Sequence, residues 1–314
     1  MSGTDYSKGI SVFGVPVLPG MGGSVFTGNV FFVDSGAPNA SDEAGQGKKI
    51  DRPFGTLDFA VGRTAPNNGD LIIVMPGHTE TVTAAAGLGL DVAGISILGL
   101  GQGSSRPTIN FTTVVGADMN VDAANITMSN FLFTGGIDAL TGPIDINAPD
   151  FKLLNFETRD VTGQAADFIV TDANADRLLI DGWAHRGDPS AGAQTAISII
   201  GGDDLVIRNF NLYGNFATAA IENVTTACVR ANIGGGAGWN YIWTENAADK
   251  AITMVSTARG FIGPNICAIL QDDAANITEA FVGGDMAFMQ PIRIVNADGE
   301  SSIDTNITPS ADSA

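Results

Sequence analysis

Apolar and polar residues alternate in short runs, and one such run returns along the chain. Residues 125–131 read NITMSNF, residues 150–156 read DFKLLNF and residues 204–210 read DLVIRNF. Weaker copies lie at residues 94–97, 176–182 and 276–278. Alternation with a period of two is typical of a β-strand that buries one face. Each run therefore predicts a strand with one apolar side.

The copies return at intervals of roughly 22 to 31 residues, which is a period typical of solenoids. A single half-apolar strand cannot hide its own apolar side, so successive copies must stack on one another. We predict a coiled all-β solenoid. Its inward residues include Ile126, Met128, Phe151, Leu153, Leu205 and Ile207. Thr127, Lys152, Val206 and Arg208 should point outward, with Leu154 and Val206 as apolar exceptions on the outer surface.

An Asn closes the repeated run at Asn130, Asn155 and Asn209. These amides could form a stacked ladder that bonds backbone groups at a bend, or a row of ligand-binding groups. The ladder is favoured, because the position recurs on several copies and a ligand site need not recur.

The start of the regular region has its own order of motifs. Residues 31–35 form a strand, Thr56 is the predicted N-cap of a short helix over about 56–63, and residues 69–77 form the next strand. The segments FVDS (32–35), DRPFGT (51–56) and GDLIIVMPG (69–77) resemble the entry of the pectin-lyase-like superfamily. The resemblance implies a right-handed parallel β-helix with the short helix as its cap. It implies little about function, since this fold serves lyases, hydrolases, epimerases, adhesins and viral spikes.

The resemblance divides the chain into three parts. Residues 1–30 form an extended N-terminal arm, residues 31–290 form the β-helix, and residues 291–314 form a C-terminal tail. The arm is apolar but interrupted by Gly and Pro, so it cannot form a good helix. Its apolar residues Val15, Val17, Leu18 and Met21 are predicted to lie on another surface, which is either the chain's own solenoid or a partner.

Composition restricts the partners. The net charge is −19, from 15 basic and 34 acidic residues. Nucleic acid is excluded as a partner by this balance, and anionic membranes and polyanionic glycans are disfavoured unless a local basic patch exists. Cys228 and Cys267 are expected to be buried thiols, because both lie in apolar stretches. No signal peptide or membrane-spanning run is recognised, and no cofactor or metal is expected.

Candidate chemistry is sparse. The resemblance to the pectin-lyase-like superfamily implies an active site of carboxylates, His and Arg. The Gly-His-Gly, Arg-Ile-Lys and Arg-x-Pro-x-x-Arg signatures of its pectin-degrading members are missing from this sequence. Asp203 and Asp204 form an acidic pair, as do residues 272–273, but Asp204 occupies the turn position of the repeat. His185, Arg186 and Asp188 form the one compact acid–base cluster, and His78 follows the entry strand. The sequence predicts no catalytic residue.

One aromatic cluster stands out at Trp239, Tyr241 and Trp243, which would share one face of a strand. It can stack against a sugar ring or pack at a subunit contact. The chain's organisation is similar to small β-helix proteins of tailed bacteriophages. That resemblance implies a non-catalytic virion protein, such as a capsid decoration protein, whose arm docks on the major capsid protein or another virion protein, in a homo-oligomer that could be a trimer. The alternatives are a polysaccharide lyase or hydrolase, and a glycan-binding spike.

Overall fold

The computed structural model is a parallel β-helix that contains almost no α-helix. It describes residues 11–12, 15–16, 28–160, 163, 165–246, 250–271, 280–295 and 301–302. A sheet of 17 strands and a sheet of 8 strands form the solenoid, and a separate two-stranded sheet lies in the N-terminal arm. The eight strands of the smaller sheet mark about eight circuits of the chain, each of which is called a coil here.

Each coil contributes to three faces. The first face contains β3 (Val30–Val33), β4 (Leu71–Val74), β7 (Ser96–Gly99), β10 (Thr127–Ser129), β19 (Val229–Ile233), β22 (Arg259–Ile262) and β25 (Asp285–Phe288). The second contains β5 (Thr79–Val82), β8 (Thr108–Phe111), β11 (Leu132–Gly135), β20 (Asn240–Thr244), β23 (Ile266–Ile269) and β26 (Ile292–Val295). The long strands β13 (Lys152–Asp160), β15 (Leu179–Arg186) and β17 (Val206–Gly214) bend and serve both faces.

The third face is the smaller sheet. It contains β6 (Leu88–Leu90), β9 (Met119–Val121), β12 (Ile144–Ile146), β14 (Asp167–Thr171), β16 (Thr195–Ile199), β18 (Ile221–Asn223), β21 (Ile252–Thr253) and β24 (Phe281–Val282). The remaining elements are β1 (Ser11–Val12), β2 (Val15–Pro16), β27 (Ser301–Ser302), the helix α1 (Leu57–Val61) and a 3-10 turn at Gly103–Ser105.

The core is a set of columns of apolar side chains that stack from coil to coil. Met128 lies opposite Leu153, which lies opposite Ile180 in the next coil. The predicted inward residues are all buried, and the predicted outward residues Thr127, Lys152 and Arg208 are not. The inside and outside assignment from the sequence is therefore confirmed, and the parallel β-helix with it.

The corners of the coil are columns of residues with positive φ. One column precedes the first face at Gly94, Asn125, Asp150, Arg177, Asp204 and Arg230, with φ between 56° and 74°. A second column lies between β10 and β11 at Asn130 and bends the long strands at Asn155, Gly182 and Asn209. Asn and Asp tolerate this left-handed conformation better than other non-Gly residues, which explains why they recur in the sequence.

Two of the three closing amides, those of Asn130 and Asn209, bond backbone groups at the bend, while Gly182 takes the corner position between Asn155 and Asn209. Nδ2 of Asn130 donates to the carbonyl oxygens of Gly99 and Gly101 at 2.8 and 3.0 Å. Oδ1 of Asn209 accepts from the Ala237 amide at 3.2 Å. These amides satisfy backbone groups that the corner leaves without a strand partner.

The helix α1 covers the open start of the core. Its residues are Leu57–Val61, inside the predicted range of about 56–63, and Thr56 is the N-cap, accepting from the Phe59 amide. Oε2 of the buried Glu80 accepts from the Leu57 amide at 2.8 Å and lies 3.3 Å from Nε2 of His78. Nδ1 of His78 accepts from the Ser35 amide at 3.0 Å, so this histidine holds the cap in place.

The two ends of the chain are only partly described. In the arm, β1 and β2 form a short antiparallel pair, while Val17, Leu18 and Met21 lie outside the described residues, as does most of the proposed tail. Parallel pairing continues beyond residue 290, because β26 pairs with β23. The backbone of β27 then pairs antiparallel with β26.

Replacing Leu153 tests the inward columns. Leu153→Ala is expected to lower the free energy of unfolding by about 2–5 kcal/mol, because it leaves a cavity in a fully buried column. Leu154→Ala, on the outer surface one residue away, is the matched control and should cost well under 1.5 kcal/mol. Denaturant unfolding of both variants measures the difference, and equal costs would contradict the side-chain assignment.

Candidate functional site

The predicted aromatic cluster is exposed on the outer side of the second face. Tyr241 and Trp243 alternate with the buried Asn240 and Ile242 on β20, so both point outward. Trp239 lies just before the strand. The three side chains are 41%, 41% and 45% exposed, although large aromatic side chains usually bury most of their surface. The strand therefore presents them together to solvent.

Register places basic and aromatic residues in one column beside this cluster. Arg159 lies opposite Arg186, Arg186 opposite Tyr213, and Tyr213 opposite Trp243 on four consecutive coils. The rings of Tyr213 and Trp243 meet edge to face, 5.7 Å apart. Strands are spaced by about 4.8 Å, so the column is about 14 Å long. We call Arg106, Glu157, Arg159, Arg186, Tyr213, Trp239, Tyr241 and Trp243 the aromatic–arginine face.

Three guanidinium groups on this face share one carboxylate. Glu157 accepts from Nε of Arg159 at 2.7 Å and from Nε of Arg186 at 3.1 Å, and lies 3.3 Å from Nη1 of Arg106. Burial acts to raise the pKa of Glu157, but the Arg159 hydrogen bond and the three positive charges outweigh it and hold that pKa below its usual value. Around Glu157 this leaves an excess of two positive charges, whereas Glu245 and Asp188 place negative charge near Tyr213 further along the column.

The face differs in charge from the rest of the molecule. The whole chain has a charge of −19. On the third face, burial and the nearby carboxylates of Asp118, Asp122 and Asp172 raise the pKa of Asp145. The second face instead concentrates Arg159 and Arg186, whose side chains stay 44% and 69% exposed. A local basic patch, which the net charge alone does not indicate, is therefore present.

A shallow open groove adjoins the aromatic residues. Its volume is about 410 Å³. It is lined by Gly182, Trp183, Ala184, Asn209, Phe210, Asn211, Trp239 and Tyr241. Gly182 and Ala184 are small, and Tyr241 and Trp239 stand beside them, so the groove combines aromatic rings with the amides of Asn209 and Asn211. Tyr213 is bonded to Glu245, which makes the Trp243 end of the column less positive than the arginine end.

The acid–base cluster around His185 does not assemble. His185 points into the core, where Nδ1 lies 2.8 Å from Oγ1 of Thr158, and Trp183 donates to the same hydroxyl. Burial lowers the pKa of His185 to about 3, so the ring is neutral near pH 7. Arg186 points outward, and Asp188 accepts from the Ser190 and Ala191 amides in its own turn. The three side chains therefore point to different parts of the structure and do not form one acid–base site.

The acidic pair is held in the corner column. Arg230 donates to both carboxylate oxygens of Asp204, at 2.5 and 2.8 Å, and lies 3.3 Å from Asp203. The hydrogen bond from Arg230 keeps the pKa of Asp204 below its usual value. Arg177 pairs with Asp150 in the same way two coils earlier. Residues 272–273 lie outside the described residues.

Other site predictions concern metals, thiols and membranes. Both cysteines are free and buried, as predicted, and burial raises the pKa of Cys228 to about 11. Over the described ranges, no group of three or more His, Cys, Asp or Glu side chains is placed to hold a metal ion. None of the helices in that part of the chain has the length and apolar composition needed to cross a bilayer.

Sequence inspection found the aromatic residues and named Arg186, but it did not place Arg159 and Arg186 beside those aromatic residues. Arg159, Arg186 and Tyr213 each stand four residues after a corner residue, at Asn155, Gly182 and Asn209. Aligning the repeated runs on that corner would have placed all three in one column. Glu157 lies on β13 two residues before Arg159, but Arg106 lies between the 3-10 turn and β8 with no such signal, and only the register brings it to Glu157.

Comparisons with known proteins give little beyond the fold. No protein-family model matches the sequence, and no curated protein matches it. Among solved structures the chain is similar to a rhamnogalacturonan lyase, with 16% identity, coverage of 77% of this chain and 68% of that chain, and a TM-score of 0.35. A similarity of this extent supports no inference about activity.

A buried carboxyl behind the aromatic–arginine face predicts a pH effect. Burial raises the pKa of Asp160 to about 6 from its ordinary 3.8, and Oδ1 has no hydrogen-bond partner among the described residues. Because the folded pKa lies above the unfolded one, the wild type loses stability as the pH rises from about 4 to 6. Asp160→Asn should therefore raise the free energy of unfolding at pH 8 by on the order of 1–3 kcal/mol.

The gain from Asp160→Asn should disappear at pH 3.5, where both states of the wild type are protonated. Urea unfolding at the two pH values measures it. Asp204→Asn is the control, because the hydrogen bond from Arg230 lowers the pKa of Asp204, so this variant should give no gain at pH 8. A gain of equal size at both pH values would show that ionisation of Asp160 is not its cause.

Proposed function

We propose that this protein is a non-catalytic binding module of a tailed-bacteriophage particle, and that it binds an acidic saccharide on the aromatic–arginine face. The single observation behind the binding role is the column in which Arg159 and Arg186 lead into Tyr213 and Trp243. The particle role is supported by the organisation of the chain, which combines a solenoid with no predicted catalytic residue, an acidic surface and an apolar arm.

The chemistry of the face suits a ring with carboxylate or sulfate groups. Aromatic side chains offer a large apolar surface at a wet boundary, against which the apolar side of a sugar ring can stack. Arginine binds carboxylate and similar anions through paired hydrogen bonds. Since Arg159 and Arg186 each use Nε for Glu157 and remain exposed, their outer nitrogens are available to a ligand.

Placement of the candidate acids and bases favours binding without turnover. General acid–base catalysis needs a group within hydrogen-bond reach of substrate and with a pKa near the working pH. His185 is buried and neutral, Asp204 is paired with Arg230, and His78 holds the cap helix. The polysaccharide lyase or hydrolase alternative requires a different set of residues.

Within the proposal, the protein is part of the virion. It serves as a capsid decoration protein in a homo-oligomer, with a trimer as one form. Its arm, including Val15, Val17, Leu18 and Met21, contacts the major capsid protein or another virion protein. The acidic remainder of the surface supports solubility and discourages contact with nucleic acid and anionic membranes.

Binding to defined oligosaccharides tests the face. The protein should bind uronic-acid or sulfated oligosaccharides more tightly than neutral ones of the same length, and binding should weaken as salt rises. Trp243→Ala and the double variant Arg159→Ala with Arg186→Ala should each weaken binding by about tenfold or more, which corresponds to about 1.4 kcal/mol. Isothermal calorimetry measures the affinities, and analysis of the recovered saccharide should show intact chains.

Two variants on the first face are matched controls. The exposed fraction of Phe261 is 48%, which is similar to the 45% of Trp243. The side chains of Arg208 and Arg159 are both 44% exposed. Phe261→Ala and Arg208→Ala should leave binding unchanged. Equal loss in the controls, or no binding to any saccharide, would contradict the proposed site. Shortened saccharide products would instead establish the enzymatic alternative.

Deletion of the arm tests the particle role. A variant without residues 2–24 should keep the circular dichroism of the solenoid but should no longer sediment with assembled particles, because the docking segment is gone. The full chain, sedimented in parallel, is the control. A deletion variant that still joins particles would rule out docking through the arm, and a full chain that stays free would argue against a virion location.

A further inference from the structure

An apolar patch lies on the outer side of the first face, outside the core. On β4, Ile72 and Val74 point into the core beside Phe31 and Val33, so Leu71 and Ile73 point outward. They form a hydrophobic cluster separate from the core. We call Val30, Phe32, Leu71, Ile73, Met75, Leu98 and Leu100 the outer apolar face.

The centre of this face is covered. Leu71 is 0% exposed and Ile73 is 5% exposed. Side chains on one side of a sheet stand roughly parallel to one another, so neighbours screen them laterally but do not close the top. Outward residues on later coils show the usual result, since Leu154 and Val206 remain partly exposed. Val30, Phe32, Met75, Leu98 and Leu100 pack against Leu71 and Ile73, and the full burial of Leu71 indicates a further cover above the sheet.

The chain enters the solenoid beside this face. The Gly28 amide donates to the Gly69 carbonyl at 3.2 Å, and the Asn29 amide donates to Oδ1 of Asp70, the residue before Leu71. Gly28 and Asn29 are therefore held next to the face. Residues 9–27 contain no charged residue and include Val15, Val17, Leu18 and Met21. A fully extended chain of residues 11–27 would be about 50 Å long. That length is far more than is needed to cross the three neighbouring strands that form the outer apolar face.

The antiparallel pair in the arm also needs support. β1 and β2 contribute two residues each. An isolated two-stranded hairpin is marginally stable in water, and stable examples pack on another apolar surface. The outer apolar face is such a surface, and it lies where the arm ends.

We propose that residues 11–27 of the same chain pack over the outer apolar face. The arm then covers Leu71 and Ile73 in the free protein. This interaction goes beyond the proposed function, since it would exist in the isolated protein whether or not a particle or a saccharide is involved.

Hydrogen exchange of the full chain tests this packing. In the wild type, amides in peptides covering residues 11–27 should exchange about tenfold or more slowly than in an unstructured peptide. Ile73→Asp should remove that protection, because it places a charge under the arm. Leu98→Asp, at the partly exposed edge of the face, gives a second variant in case Ile73→Asp fails to fold.

Leu154→Asp is the matched control. Leu154 lies in the same outward column as Ile73 and Leu98. Ser129 pairs with Leu98 on one side and with Leu154 on the other, so Leu154 is two coils further from the arm than Leu98. It should leave arm protection unchanged, with circular dichroism confirming the fold of each variant.

The outcomes separate the possible occupants. Fast exchange of the arm in the wild type, or protection that survives both Asp variants in folded protein, would overturn the proposal. Protection that is lost on dilution would mean that the arm of a second copy covers the face, which also overturns it. A saccharide titration under the same conditions is independent, so failure here leaves the aromatic–arginine face untouched.

Discussion

In-register stacking of inward apolar side chains is the interaction on which this structure depends. Each coil leaves its apolar side uncovered until the next coil lies on it, so no coil is stable alone. Columns such as Met128, Leu153, Ile180 and Ile207 solve this by placing a residue of similar size at the same point in every coil. The stacking fixes the corners, and the corners fix which outward residues become neighbours.

That dependence explains what the sequence can predict. The period-two runs and their spacing identify the solenoid, because burial imposes the same pattern on every coil. Asn155 and Asn209 identify the corners, because only a few residue types tolerate positive φ. Even the N-cap at Thr56 follows from local chemistry, since an uncapped helix start leaves amides without partners.

The site is harder to predict for the same reason. Outward residues have no common chemistry, so Arg106, Glu157 and Arg186 look unrelated along the chain. They become neighbours only through the pairing register, and loops of unequal length hide that register from simple counting. His185 shows the opposite error. Its neighbours in sequence suggest a compact cluster, but alternation along β15 sends adjacent side chains to opposite sides.

Net charge is an equally poor guide to a single face. A total of −19 argues against anionic ligands when charge is spread evenly. Here the acidic groups gather on the third face and at the corners, while Arg159 and Arg186 meet on the second face. A short anionic ligand experiences the nearby guanidinium groups far more than distant carboxylates, because salt screens charges beyond about 8–10 Å.

The alternating charges of one corner column limit how this chain can lengthen. Asp150, Arg177, Asp204 and Arg230 follow one another on successive coils, and each acid has a base beside it. Duplicating one coil would place two acids or two bases together, whereas duplicating two adjacent coils would preserve the alternation. Duplications within the gene that lengthen the solenoid through this region are therefore expected to add even numbers of coils.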